Sequence, residues 1–378
     1  MKKIGIIDIG SNSIRLLLVK IGFNSTFQVF NEVKEIARLG KDMKDNKLNE
    51  ERIKKAIDTL LFFKNICNSM DIYEIISIAT EAVRKADNQI EFIKRVKDEL
   101  NLEIRVLSGL EEAYYDYFGI INSIDIKECL IMDIGGRSTE LIWVNNRDIK
   151  ESISIPIGAI NLTEKLDLDK NNNMDKELAL KNYILGYLKG IPWLSHIKNL
   201  PMVGVGGTIR NIGKINRKKT NYPLEHSHNY HMNSSEVLEI YEEFKTSTPS
   251  NRKKFKGLSK DRADIFLGAL SAVVSVIEYC NIKNVYISGN GLREGLFYEY
   301  LLKSNKPVED VLDFHLNNLI EYYQLPKAHC YHICKLILSL YNQLQPLHKI
   351  QGDTYKILRT CSLLHDCGIY IDYYNHNK

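Results

Sequence analysis

Asp8-Ile9-Gly10-Ser11-Asn12-Ser13 is matched by Asp133-Ile134-Gly135-Gly136-Arg137-Ser138-Thr139, 125 positions further on. That interval is about one domain length. Each copy follows a short apolar run, residues 4–7 or 129–132, and precedes another, residues 14–19 or 141–144. Run, turn and run predict a β-hairpin. The turn combines an acid, glycine, and hydroxyl or amide side chains. Glycine lets backbone N–H groups approach an anion, Ser, Thr and Asn add donors, and the Asp accepts hydrogen bonds or faces a metal ion. Either copy alone has the composition of an ordinary hairpin turn. Their recurrence at domain spacing predicts two hairpins that grip a phosphate from both sides.

Outward from these loops the chain reads as strands at 3–8, 14–21 and 27–33, a helix at 49–67, a strand at 75–79, a helix at 90–100, a strand at 103–107 and a helix at 111–121. From Cys129 the scheme repeats: strands at 129–133, 139–144 and 149–155, then helices, a strand at 202–205 and another at 285–288, with a helical insertion between the last two. Three strands followed by alternating helices and strands predict an α/β fold of mixed sheets with helical covers. The two parts are expected to be duplicates facing each other across a cleft. A linker at 303–308 with Ser304, Asn305 and Pro307 ends this unit. Beyond it Leu312, Leu316, Leu319 and Ile320, then Ile333, Leu336, Ile337 and Leu340, recur at helical spacing and predict the core of a small helical appendage.

At 378 residues and 44% hydrophobic, the chain can bury sizeable cores in two or three domains. With 51 basic and 47 acidic residues the global charge is too balanced to suggest a nucleic-acid protein, although a local positive cleft would still attract a polyanion; no nucleic-acid partner is expected. Asp8, Asn12 and Arg15 interrupt the first apolar run before it could serve as a signal peptide, and no stretch approaches the roughly 20 apolar residues of a membrane span. No membrane partner and a cytoplasmic location are the resulting expectations. Seven cysteines without disulfide-framework spacing suit a reducing compartment; Cys67, Cys129 and Cys280 read as buried small hydrophobes.

Three further segments bear chemistry. Gly204-Val205-Gly206-Gly207-Thr208 lies between a strand and a helix expected near Ile209, where N–H groups and the helix dipole favour an anion. Arg84 follows a strand, where its guanidinium can bond a phosphate bidentately. Ser108 and Glu111 have capping-box spacing, which leaves the adjacent Glu112 available to orient a water.

Together these residues resemble the exopolyphosphatase and guanosine pentaphosphate phosphatase (Ppx/GppA) family. The likeness rests on the segments at 8–15, 79–84, 108–113, 133–140, 204–208, 257–264 and 288–295, in order, over roughly residues 1–303. It implies duplicated actin-like (ribonuclease H-like, ASKHA) domains at 1–125 and 126–303, with a helix at 290–303 crossing back onto the first. It also implies hydrolysis of terminal phosphate from inorganic polyphosphate, or of the 5′-phosphate of guanosine pentaphosphate, with Mg²⁺ or another divalent cation. Carried over, Glu112 becomes the carboxylate that activates water, and Asp8, Glu112 and Asp133 the residues near the metal. Phosphate contacts fall to Asp8, Gly10, Ser11, Asn12, Ser13, Arg15, Arg84, Gly135, Gly136, Arg137, Ser138, Thr139, Glu140, Gly206, Gly207 and Thr208. Arg137 departs from the family, which usually has a third glycine there, and either contacts the polyanion or narrows the cleft. Leu110 replaces a residue that is often polar. Family analogy also points to a homodimer.

In the appendage at 304–378, Ala328-His329-Cys330-Tyr331-His332 and Leu364-His365-Asp366-Cys367-Gly368 resemble the start of a His-Asp phosphohydrolase-like (HD-like) domain. A further His and Asp would be needed to close a metal site, so the pattern reads as truncated and is assigned no metal. A zinc site from His329, Cys330, His332, Cys334, His365 and Cys367 fits no tight motif, and helix packing explains these residues more simply. The clusters at 217–219 and 252–256 are solvated loops or guides for a long polyphosphate. Two other readings share the architecture: a polyphosphate- or alarmone-binding regulator without turnover, and a sugar kinase. Retention of Glu112 with both loop aspartates counts against the regulator.

Overall fold

The computed structural model describes every residue except 44, 167, 169–173, 351, 353 and 375–378. Its elements run β1 (Lys2–Ile9), β2 (Ile14–Ile21), β3 (Phe27–Glu35), α1 (Glu50–Ser69), β4 (Glu74–Ala79), α2 (Glu81–Arg84), α3 (Gln89–Leu100), β5 (Ile104–Val106) and α4 (Gly109–Ile121). They continue with β6 (Cys129–Ile134), β7 (Thr139–Asn145), β8 (Asp148–Ile155), α5 (Ala159–Leu166), α6 (Met174–Lys189), β9 (Met202–Val205), α7 (Gly206–Lys219), β10 (Tyr230–Asn233) and α8 (Ser234–Lys245). The remainder is helical apart from one strand: α9 (Pro249–Arg252), α10 (Phe266–Cys280), β11 (Asn284–Ile287), α11 (Leu292–Leu302), α12 (Val311–Tyr322), α13 (Lys327–Gln343), α14 (Gln345–His348) and α15 (Thr354–Leu363).

The duplication is visible in the strand order. One sheet runs β3-β2-β1-β4-β5 and the other β10-β11-β9-β6-β7-β8, so β8-β7-β6-β9-β11 repeats the order of the first. In the second sheet β6 pairs antiparallel with β7 and parallel with β9, and β9 pairs parallel with β11. Parallel strands need both faces covered, and β6 and β9 accordingly carry almost uninterrupted buried apolar residues. The edge strand β10, antiparallel to β11, lay inside the segment expected to be helical; four residues, Tyr230-His231-Met232-Asn233, alternate too briefly to announce a strand.

The chain forms two compact units. The larger contains residues 5–17 and 32–307. At its centre α10 is buried on nearly every face, with Phe266 edge-on to Phe244 at 4.9 Å. Each large side chain buried there contributes about 1.5–3 kcal/mol. Helix α4 starts with the expected capping box, Ser108 Oγ accepting from the Glu111 N–H and Glu111 accepting from the Ser108 N–H. Helix α11 packs directly on α4: a Cβ on Gly295 would stand 1.9 Å from the Tyr115 carbonyl oxygen, so only glycine allows this approach. Cys67, Cys129 and Cys280 are buried, as expected.

The smaller unit joins residues 1–4 and 18–31 to residues 308–378. The Phe27 N–H donates to Asn318 Oδ1 at 2.7 Å, Asn318 Nδ2 returns a bond to the Phe27 carbonyl, and Phe27 stacks on Phe314. Its helical core contains Leu316, Ile320, Leu325, Cys330, Cys334 and Leu363. The stripe expected along α13 is therefore corrected: Leu336 and Leu340 are exposed, and the face at Cys330 and Cys334 is the buried one. One ligand atom from each of His329, His365 and Asp366 falls within 4.8 Å of the others, whereas Cys330 and Cys334 face the core. His376 lies outside the described residues. No helix among the described residues is long and apolar enough to cross a membrane.

Candidate active site

The two Asp-Ile-Gly loops close identically, with Gly10 N–H bonded to the Ser13 carbonyl at 3.2 Å and Gly135 N–H to the Ser138 carbonyl at 3.0 Å. Their outward carbonyls are pinned, Ser11 by the Gly40 N–H, Asn12 by the Arg38 N–H, Gly135 by Ala159 and Gly136 by Ile160. Asn12 is 6% exposed and its Nδ2 has no acceptor, so a donor stands ready in the wall. The third glycine turn begins its helix at Gly206, three residues earlier than expected. Gly206 has φ +88°, and a Cβ there would fall 2.4 Å from Asp133 Oδ1. Glycine is thus required both by the backbone and by the carboxylate. The N-terminus of the 14-residue helix α7 consequently lies beside both loops.

A single cavity is lined by Asp8, Gly10, Ser11, Asn12, Ser13, Arg15, Glu112, Asp133, Gly135, Gly136, Ser138, Glu140, Gly206 and Gly207. Four residues expected to bind phosphate do not line it. Arg84 is ion-paired to both Glu112 and Glu81 and donates to the Leu107 carbonyl at 2.5 Å, so it clamps Glu112 from behind. The Arg137 Nε donates to the Gly40 carbonyl at 2.6 Å and its Nη2 lies 3.4 Å from Glu164. Thr139 Oγ1 donates to the Ile157 carbonyl, and Thr208 is buried at 1% exposure in the first turn of α7.

The wall also holds residues to which the sequence reading gave no role: Glu81, Asp116, Arg210, Arg262, Arg293 and Glu294. Arg262 and Arg293 fall within the segments at 257–264 and 288–295 that carry the family likeness, and that placement is their signal in the sequence. Asp116 lies four residues after Glu112, one helical turn along the same face. Arg210 carried no signal beyond its place near the third glycine turn.

Charge is sorted within the cavity. Burial, followed by repulsion from Arg210 and Arg293, lowers the Arg15 guanidinium to about 9. Burial and then Arg15 lower Arg262 to about 10, and burial with Arg293 lowers Arg210. For Arg293 burial is outweighed by Glu294 and by Glu32, which sits 2.9 Å away, and the net shift is upward. Among the acids, burial pushes Glu112 up to about 8 against the opposing pull of Arg84. Burial likewise raises Asp8, Asp133, Asp116 and Glu140, the last two strongly, and Glu140 accepts from Ser154 Oγ at 2.7 Å. Crowded guanidiniums favour an anion and crowded carboxylates a cation. The arrangement can therefore hold an anionic group next to a metal ion with a carboxylate, Glu112, at hand for a water.

A family model described as the Ppx/GppA phosphatase family matches residues 18–304. The bifunctional 3-dehydroquinate synthase/phosphatase of Fusobacterium nucleatum is 32% identical over 307 residues, covering 78% of this chain and 46% of that protein, so the chain spans about half its length. The guanosine-5′-triphosphate,3′-diphosphate pyrophosphatase of Aeromonas salmonicida is 26% identical over 377 residues, 97% of this chain and 73% of that one. The crystal structure of an exopolyphosphatase from Cytophaga hutchinsonii superposes with a TM-score of 0.75 at 26% identity, covering 80% of this chain and 98% of that one. The fold is the duplicated actin-like α/β arrangement followed by helices. On the strength of the matched segment and the shared fold, the chain belongs to the Ppx/GppA phosphatase family.

Proposed function

We propose that the chain is an exopolyphosphatase, a phosphoric-anhydride hydrolase that removes the terminal phosphate of inorganic polyphosphate with the aid of Mg²⁺ or another divalent cation. The observation that carries this reading is the sorted cavity: Arg15, Arg210, Arg262 and Arg293 stand with two glycine-rich loops and a helix N-terminus, and Glu112 stands with buried carboxylates. Phosphoryl transfer demands positioning and charge stabilisation more than covalent chemistry, and these are what such a wall supplies.

In this mechanism the backbone donors of the two loops and of Gly206 and Gly207, with Ser11, Asn12, Ser13 and Ser138, hold the non-bridging oxygens of the terminal group. The arginines hold the phosphates behind it, their mutual repulsion relieved by the polyanion. Glu112, kept in one orientation by Arg84, aligns the attacking water in line with the departing oxygen and accepts its proton. Asp133 and Glu140 fit a hard divalent cation, since Asp133 Oδ1 is buried and receives no hydrogen bond; Asp8 faces the same space. When bound, the cation offsets charge on the transferring group.

Guanosine pentaphosphate is the second substrate to test, because the relative from Aeromonas salmonicida is named for it. Against it, none of the described residues lining the cavity is aromatic, so the wall offers no ring on which a guanine could stack. The test compares phosphate release from long-chain polyphosphate and from guanosine pentaphosphate with Mg²⁺, for the native chain and Glu112→Ala. Release from polyphosphate that collapses in the variant is expected. Preference for the nucleotide would transfer the activity to that substrate, and absence of release from both would refute hydrolysis.

A further inference from the structure

The carboxylate cluster contains one member that the hydrolytic mechanism above does not use. Asp116 projects from α4 one turn beyond Glu112, is 1% exposed, and neither of its oxygens receives a hydrogen bond. Its helix neighbours Ala113, Phe118, Ile120 and Ile121 are fully buried apolar residues, so an apolar side chain would suit the position better on packing grounds alone. One oxygen of Asp116, one of Asp133 and one of Glu140 lie within 4.8 Å of one another. Among the described residues none of the three takes part in an ion pair, and Asp133 Oδ1 also lacks a donor. Two carboxylates this close, buried and without a shared cation, disfavour ionisation of each other, and a third compounds the cost.

We propose that Asp116 is a direct ligand of the divalent cation, completing with Asp133 and Glu140 a three-carboxylate site that draws on helix α4 as well as strands β6 and β7. This rests on the proposed hydrolase only for the presence of a cation. Oxygen-only donors in this number suit Mg²⁺ or Mn²⁺. The backbone opposite is kept clear: a Cβ on Gly291 would come 3.0 Å from Asp116 Oδ1, as one on Gly206 would crowd Asp133. Because Asp116 and Glu112 share one helix face, the ligand also fixes the distance between the cation and the water-aligning carboxylate. Asp116 is thereby a positioning residue for the reaction as well as a ligand.

The experiment measures Mn²⁺ binding by calorimetry and the thermal midpoint with and without Mn²⁺, in the absence of any phosphate compound, for the native chain, Asp116→Asn and Asp133→Asn. Asp116→Asn should weaken Mn²⁺ at least tenfold, raise the midpoint of the metal-free protein by removing a buried repulsion, and lose most of the Mn²⁺-induced rise. An Asn variant that binds Mn²⁺ within twofold of the native chain, while Asp133→Asn loses it, would overturn the proposal and leave Asp116 as a hydrogen-bonding neighbour of Asp133. Should Asp116→Asn fail to fold, iron-directed cleavage of the native chain decides: Fe²⁺ with ascorbate and peroxide should cut within residues 113–119 as well as near 133–140, and cuts near 133–140 alone would refute it. Phosphate release from polyphosphate is followed separately. Weakened Mn²⁺ binding in an enzyme that releases no phosphate would sink the hydrolase reading and keep this one, and unchanged binding in an active hydrolase would do the reverse.

Discussion

Gly295→Ala probes how Glu112 is held. The added methyl would stand 1.9 Å from the Tyr115 carbonyl oxygen, whereas an unstrained carbon–oxygen contact is about 3.3 Å, so α11 and α4 must part by about 1.4 Å. Substituting alanine inside a helix gains about 1 kcal/mol of propensity. Overpacking costs about 1–3 kcal/mol, and the net loss of stability should be about 0–2 kcal/mol. The rate should suffer more. Tyr115 lies between Glu112 and Asp116 on α4, and Arg293 and Glu294 lie on α11, so parting the helices moves the two walls of the cavity relative to each other. Misplacement by about 1 Å costs roughly 100-fold in rate. Steady-state phosphate release should therefore show a kcat roughly 100-fold down, and urea unfolding only the small loss. A Gly295→Ala protein with native kcat and native midpoint would refute the claim that this helix contact sets the geometry.

Arg84→Met should lower kcat roughly 10- to 100-fold and change KM little, because the guanidinium orients Glu112 and does not reach the cavity; a change in KM alone would restore it to phosphate binding. Phe266→Ala, at 1% exposure against Phe244, should cost about 3–5 kcal/mol in urea unfolding. Glu111 is lowered from 4.5 to about 2, by the Ser108 N–H first and Arg105 next, so it stabilises the fold above pH 4.5 and that contribution is lost as pH falls through 2. With its side chain 40% exposed, Glu111→Gln should cost about 1 kcal/mol at pH 7, and the difference from the native chain should shrink through pH 2 and vanish below it.

The fold was legible because its signals are local and repeated. Alternating and continuous apolar runs mark β1 to β9, and the two Asp-Ile-Gly turns announce the duplication before any contact is known. Strand β10 was hidden because four residues carry too little periodicity, and α13 because Leu336 and Leu340 share the helical spacing of a core without being in it. In the site, the loop residues could be read since backbone geometry dictates glycine, serine and asparagine there. Of the arginines, Arg15 could be read because it follows the first loop, but Arg84 and Arg210 could not. Arg84 and Arg210 look alike in sequence, and only tertiary placement sends the first behind Glu112 and the second into the wall. Asp116 was passed over for a related reason: one acid on an apolar helix gives no sign of facing two others from distant strands.

The short run from Lys34 to Gly40 is tied to residues 137 and 261–264, next to the cavity-lining Gly136 and Arg262. Lys34 meets Asp261 at 3.1 Å, Arg38 meets Asp264 at 2.9 Å, and Gly40 receives the Arg137 guanidinium. The two ion pairs are partly solvated, and each such pair is worth about 0.2–1 kcal/mol. Together the two pairs contribute only about 0.4–2 kcal/mol to holding the run in place. In the proposed hydrolase so weak a seam would matter, for a firmly locked wall of arginines would hold back the released phosphate. Added salt, by loosening the seam, should ease departure even as it weakens the first capture of the polyanion, so turnover and affinity are set in opposition by the same few side chains.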